Sequence, residues 1–296
     1  MWITSKPKRM LLYAMAPIFP TLCSQYLFRL AFGRKLDLRH PKTLDEKLMW
    51  LKLNAYRDNP LITECADKYR VREYVRECGC GELLTNLYGV WDDPDDIPWE
   101  DLPSSFALKC NHASGYNILC PDKSKMDIPS TKKQLRKWMR RDYWRFLSEI
   151  QYKGIRKCII CEELLASGNV TDYKIYCFHG EPLYILACVG RKTGSTSFYF
   201  FDTDWNLARI THDGKAAPEG FTLPRPIGLD KMLRYSRELS APFPFVRVDL
   251  YDVNGHIYFG ELTFIPAAAL DTRRLPETDL YFGSILNLEN VQIEKE

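Results

Sequence analysis

The sequence predicts an α+β protein whose lobes carry largely antiparallel sheets. Amphipathic helical patterns open the chain, β-rich runs follow one another across short turn signals, and only a few helical stretches interrupt them. The 296 residues, 46% hydrophobic and 27% charged, suit a globular chain of two or three closely packed lobes with a substantial core.

Residues 1–38 form a basic and apolar segment. Lys6, Lys8, Arg9, Arg29, Arg34 and Lys35 flank apolar stretches broken by Pro17 and Pro20. No run reaches the roughly 20 residues of a membrane span. The expected element is helical, packed on the body or laid on an anionic membrane surface.

Residues 39–105 read as a helical or α+β lobe. Thr43 with Glu46 makes a capping signature ahead of LDEKLMWLKL, and the apolar spacing from Pro60 to Cys78 predicts one amphipathic helix. The acidic run DDPDDIPWEDLP reads as a loop. Residues 106–165 change character. FALKCN and YNILC read as strands joined by a flexible loop, followed by a helix over 130–143 and the strand KCIICEELL. In residues 166–296, YKIYCF and PLYILACVG form a hairpin, SFYFFD a further strand, and helices are expected over 229–239 and 279–288 around the last hairpin.

Composition excludes some functions. A net charge of +3 on this many residues gives no case for nucleic acid. The ten cysteines have no regular spacing and no secretory leader is visible, so a cytoplasmic protein without disulfides is expected. Cys78 with Cys80 and Cys158 with Cys161 invite a metal, but the second pair lies three apart in a β-rich run and points to opposite faces. Buried small hydrophobes are the expected role.

The chemistry concentrates in FPFVRVDLYDVNGHIYFGELTF. Asp252 to Gly255 fit a three-residue loop ending in a left-handed glycine, which places Arg247 opposite Glu261, with Asp249 and Thr263 on that same face. Val246, Val248, Leu250, Leu262 and Phe264 take the other face. A two-residue turn at Asn254 and Gly255 instead separates Asp249 from Glu261. Two carboxylates so placed suit Mg²⁺, which takes one or two carboxylates and completes its shell with phosphate and water. A surface Arg–Glu pair is the plainer alternative. Upstream, FALKCNHASGYN sets Lys109 before a loop containing Ser114 and Gly115, whose backbone N–H groups and lysine suit phosphates. Neither GxxxxGK[ST] nor GxGxxG is present.

The phrases RHPKTLDEKLMWLKL, ADKYRVREYV, FALKCNHASGYNI, IICEELL, DYKIYCFHGEPLYI and FPFVRVDLYDVNGHIYFGELTF, in that order, resemble the TupA-like ATP-grasp proteins of polysaccharide biosynthesis, from about Arg39 to Leu288. The resemblance implies an ATP-grasp fold that grips ATP between two α+β lobes. It implies an activity in which the γ-phosphate activates a carboxylate, here a sugar uronate or polysaccharide acceptor, for attack by an amine such as an amino acid. It also implies that Lys68 and Lys109 contact phosphates, with His112, Ser114 and Gly115 in the loop above. Glu162, Glu163, Leu164 and Leu165 would line the adenine. Asp249, Glu261 and Thr263 would carry Mg²⁺, Arg247 would face the transferred phosphoryl group, and Lys174 and Arg191 would line the substrate side. A peripheral position on the inner face of the cytoplasmic membrane would bring the enzyme to a lipid-linked acceptor.

Three departures from the family pattern stand out. Thr263 replaces an asparagine ligand, ASGYN replaces GSGGN, and Pro266 to Ala269 replace PGSG, with fewer glycines for close backbone approach. A phosphotransferase acting on a hydroxyl, and a non-catalytic nucleotide-binding module, are the alternative readings.

Overall fold

The computed structural model describes residues 6–165, 171–189, 196–289 and 291–292. Two antiparallel sheets organise the chain. The smaller contains β1 (Leu87–Trp91), β2 (Phe106–Cys110), β3 (Asn117–Cys120) and β4 (Ile159–Glu162) in the order β1-β4-β2-β3. The larger contains β5 (Thr171–Phe178), β6 (Glu181–Val189), β7 (Ser197–Phe201), β8 (Leu207–Ala208), β9 (Phe245–Val253) and β10 (His256–Thr263) in the order β10-β9-β5-β6-β7-β8.

Helices α1 (Lys6–Met15) and α2 (Pro20–Phe32) precede α3 (Leu44–Leu53), whose capping box forms in full. Thr43 Oγ1 accepts from the Glu46 N–H at 3.3 Å, and Glu46 Oε2 accepts from the Thr43 N–H at 3.1 Å. The helix expected from Pro60 to Cys78 is two helices, α4 (Pro60–Ala66) and α5 (Val71–Glu77). Asp67 breaks it: its carboxylate accepts the N–H groups of Tyr69 at 2.8 Å and Arg70 at 3.3 Å, a local alternative to the helical ladder. That break presents Lys68 to the neighbouring loop. The helix expected over 130–143 is α6 (Ile128–Met139), and α7 (His212–Ala216), α8 (Leu229–Ser240) and α9 (Pro276–Ile285) complete the set.

Each sheet has its own core. Phe106, Leu108, Ile159 and Cys161 of the small sheet pack with Leu135 of α6 and with Ile97, Trp99 and Leu102 of the acidic loop. The larger core joins β5, β6 and β9 to α3, α8 and α9. Helix α9 crosses the entry to α3 so closely that a Cβ at Gly283 would lie 2.0 Å from the Lys42 carbonyl oxygen. Arg274 locks this crossing, with ion pairs of 3.0 Å to both Asp45 and Asp279. All ten cysteines are free thiols.

Candidate active site

The last hairpin reaches its sidedness by a different route from the one expected. Its turn has two residues, Asn254 at φ 54° and Gly255 at φ 83°, with Val253 opposite His256. On its own this turn sends Asp249 and Glu261 to opposite faces. A bulge at Gly260 shifts the register by one residue, so Glu261 lies opposite Asp249 and Thr263 opposite Arg247. Glycine is required there, because a Cβ at Gly260 would sit 2.8 Å from the Asp249 carbonyl oxygen.

On β5, Lys174 pairs with Asp249 and Tyr176 with Arg247. One row across three strands therefore reads Lys174, Asp249, Glu261, and the next reads Tyr176, Arg247, Thr263. Arg247 grips Asp249 through both ends of the fork, Nε to Oδ1 at 2.6 Å and Nη2 to Oδ2 at 2.7 Å, while Lys174 donates to the same Oδ2. Nη2 also donates to Thr263 Oγ1 at 3.0 Å, and that hydroxyl donates to Glu261 Oε1 at 2.8 Å.

Charge balance follows from this packing. Burial pushes the Asp249 carboxyl up, against the pull of Arg247 and Lys174. Burial opposes charge on Lys174 and Arg247 too, but Asp249 raises both. Glu261 is only half-buried, with 38% of its side chain open. Burial acts to raise it, yet Lys68, Arg247 and Lys174 hold it down to about 2.

The opposing cations come from the break between α4 and α5, from α5 and from β2 of the small sheet. Lys68 Nζ donates to the Ala113 carbonyl at 2.5 Å, in the loop between β2 and β3, and burial followed by the nearby Lys109 lowers its pKa. Lys109 Nζ donates to Glu162 Oε2 at 2.5 Å, and Arg72, which sequence reasoning passed over, donates to Glu162 Oε1 at 3.0 Å. Lys68, Arg72, Lys109 and Glu162 meet Phe259 and Gly260 of the hairpin across a crevice of 20 Å³.

The remaining candidates lie as follows. Glu163 uses its backbone N–H on the Asn86 carbonyl at 2.9 Å and accepts from the Asn86 amide at 2.8 Å. Leu164 and Leu165 follow it, half-buried. Ser114 and Gly115 are exposed at the loop tip, with Gly115 at φ 74°. His112 is buried, edge-on to Tyr116 with ring centroids 6.1 Å apart, and burial drives its pKa down to about 4. It does not line the crevice. Arg191 falls outside the described residues. Ala267, Ala268 and Ala269 take φ of 50°, 58° and 58°, so the backbone follows a glycine-like path without glycine.

Among the described residues, no group of three or more His, Cys, Asp and Glu side chains converges as a metal cage. Two carboxylates and a hydroxyl beside several cations are the donor set of a cation held jointly with phosphates.

Two antiparallel sheets facing each other across basic and acidic side chains are the architecture of an ATP-grasp protein. The TupA-like ATPgrasp family model matches residues 46–287, and the chain belongs to that family. A search of curated proteins found no match. Among solved structures, the chain is similar to a D-alanine–D-alanine ligase from Bacillus anthracis at 15% identity and a TM-score of 0.46, covering 75% of this chain and 63% of that one. It is similar to an L-amino acid ligase from Bacillus licheniformis at 14% identity and a TM-score of 0.46, covering 98% and 64%. A third similarity is to an N5-carboxyaminoimidazole synthase from Aspergillus clavatus in complex with ADP and 5-aminoimidazole ribonucleotide, at 12% identity and a TM-score of 0.41, covering 73% and 54%. The chain thus spans less than two thirds of the length of each of these structures.

Proposed function

We propose that this chain is an ATP-dependent ligase that activates a carboxylate and joins it to an amine. The observation that carries this reading is the row Lys174, Asp249, Glu261, with Arg247 beside it, on the hairpin whose Phe259 and Gly260 meet Lys68 and Lys109 across one crevice. Asp249, Glu261 and Thr263 would hold Mg²⁺, and Lys68 and Lys109 the phosphates of ATP. Bound Mg-ATP supplies a transferable phosphoryl group to a carboxylate. Arg247 places fixed positive charge where phosphoryl oxygens gather it, and Lys174 neutralises Asp249 so that the buried carboxylates coexist. Glu162 orients the Lys109 ammonium and keeps Arg72 at the crevice wall.

The acceptor we infer is a uronate or other sugar carboxylate of a surface polysaccharide, with an amino acid as the amine. Cytoplasmic protein at the inner membrane face fits the N-terminal helices. No helix among the described residues is long and apolar enough to cross a membrane. Helices α1 and α2 and the turn between them nevertheless expose Leu11, Ile18, Phe19 and Leu22, and Lys8 and Arg29 on the same two helices are also exposed. The domain boundaries at residues 38, 105 and 165 are proposed on the same basis, with residues 106–165 as the lid.

The test is phosphate release from Mg-ATP in the presence of uronic acids paired with amino acids, alongside trapping of acyl phosphate by hydroxylamine. Amide product with stoichiometric phosphate supports the ligase. A phosphorylated hydroxyl product without hydroxamate replaces it with a phosphotransferase. Nucleotide binding without turnover on any pair leaves a binding module.

A further inference from the structure

A cavity of 820 Å³ separates α1 from the lid segment that follows α6. Its walls are aromatic. Tyr13 of α1 meets Phe146 with ring centroids 5.1 Å apart, and Tyr143 lies 6.4 Å from the same ring. Arg9 and Arg141, both exposed, stand at its margin, and Glu149 lines its wall.

Glu149 is the anomaly. The residue is 6% exposed yet lines the cavity, and no hydrogen bond to its carboxylate ties it to the surrounding chain among the described residues. Its surroundings are electrostatic only. The buried Lys52 of α3 and Lys68 pull toward the charged form, and Glu261 of the hairpin pushes against it. Tyr143 and Tyr152 also lie within its field, each raised by burial first and by Glu149 next. Glu149 thus lies within the electrostatic reach of Glu261 in the hairpin row and of Lys68. None of these features is needed to hold nucleotide.

We propose that this cavity is the nucleophile site, receiving an amine that also carries an anionic group and an apolar body, with Glu149 taking the ammonium and the guanidiniums of Arg9 and Arg141 taking the anion. A zwitterion satisfies each unpaired group once, and the aromatic wall contacts its apolar part. The inference rests on the ligase reading for its chemistry. There, Glu149 accepts one proton from the ammonium, freeing the nitrogen lone pair. The nitrogen bonds to the acyl carbon while the carbon–oxygen bond to phosphate breaks, and the second amine proton leaves with the phosphate. Burial pushes Glu149 up to about 7, the range in which a carboxylate exchanges protons efficiently near neutral pH.

The test is calorimetric titration of the full-length protein with three probes of one shape: L-phenylalanine, hydrocinnamate, which lacks the amine, and phenethylamine, which lacks the carboxylate. L-phenylalanine should bind at least tenfold more tightly than either analogue, and Glu149→Gln should remove at least tenfold of that affinity. Equal binding of L-phenylalanine and hydrocinnamate, wild-type affinity in the variant, or binding of none of the three at millimolar concentration overturns the assignment. If Glu149→Gln does not fold, the wild-type selectivity decides alone. A parallel Mg-ATP melting shift on the wild-type protein reports the nucleotide reading separately, so failure of one is distinguishable from failure of the other.

Discussion

Gly260→Ala tests the hairpin geometry on which the row Lys174, Asp249, Glu261 depends. The new methyl would stand 2.8 Å from the Asp249 carbonyl oxygen and 3.2 Å from the Tyr251 ring. A carbonyl in a central strand cannot retreat as a flexible side chain can, so the bulge must open or the two strands must slip. Overpacking of this kind costs about 1–3 kcal/mol. With an unfolding entropy of about 2.1 cal/mol/K per residue, the 296 residues give roughly 0.6 kcal/mol per degree, and 2 kcal/mol lowers the melting temperature by about 3 °C. The functional effect is larger than the stability effect, because Glu261 faces Asp249 only through the bulge. On the proposed reading, Mg-ATP at about 100 times its dissociation constant should stabilise the wild type by about 2.7 kcal/mol, or about 4 °C. In the variant that increment should fall below 1 °C. Scanning fluorimetry with and without Mg-ATP reads both quantities. A variant that melts about 3 °C lower and keeps the full nucleotide increment would refute the link between bulge and site, and one that melts with the wild type would refute the close packing.

Asp249→Asn should cost about 3–5 kcal/mol in urea denaturation, because it strands the buried cations Arg247 and Lys174. Glu261→Gln should cost under about 1 kcal/mol, since its side chain is 38% open, yet both variants should lose the Mg-ATP melting shift. His112 resists protonation in the folded state while the unfolded chain takes a proton near pH 6.5, so its contribution to stability is complete above pH 6.5 and is lost as pH falls toward 4. Denaturation midpoints of His112→Gln should accordingly fall less than those of the wild type between pH 7 and pH 4.5. Ala267→Gly should stabilise by about 0.5–1 kcal/mol, from about 1–2 kcal/mol of left-handed strain relieved less about 0.4–1 kcal/mol of added unfolded-state entropy. Because Ala267 is exposed, no buried methyl is lost, and a melting temperature at or below the wild-type value would contradict the strain argument.

Most strands were legible because their apolar runs end at turn residues, and the long helices because their caps and periodicity agree. The short strand β1 was not, since Gly89 weakens its β signal and its neighbour is an acidic loop. The break at Asp67 was hidden because helical spacing continues through it, and only the carboxylate's hydrogen bonds redirect the backbone. Arg247, Asp249, Glu261 and Thr263 were identifiable as one face, but the predicted three-residue loop gave the wrong cross-strand partner for Arg247. Asn254 and Gly255 carried the two-residue turn signal, and an isolated Gly260 inside a strand pattern was the available sign of the bulge that corrects it. Glu149 gave no such sign. It belongs to no periodic element, and its significance comes from the electrostatic reach of Lys52 on α3 and Glu261 on the hairpin and from the cavity it shares with α1, which no local pattern encodes.

Helix α1 contributes Tyr13 to the cavity wall, where the phenol oxygen also accepts the Asp142 N–H at 3.2 Å, while Leu11 on its other side faces solvent. Ten residues thus answer to two environments at once. Anything that grips the outer side of this helix therefore bears on the shape of the chamber behind it.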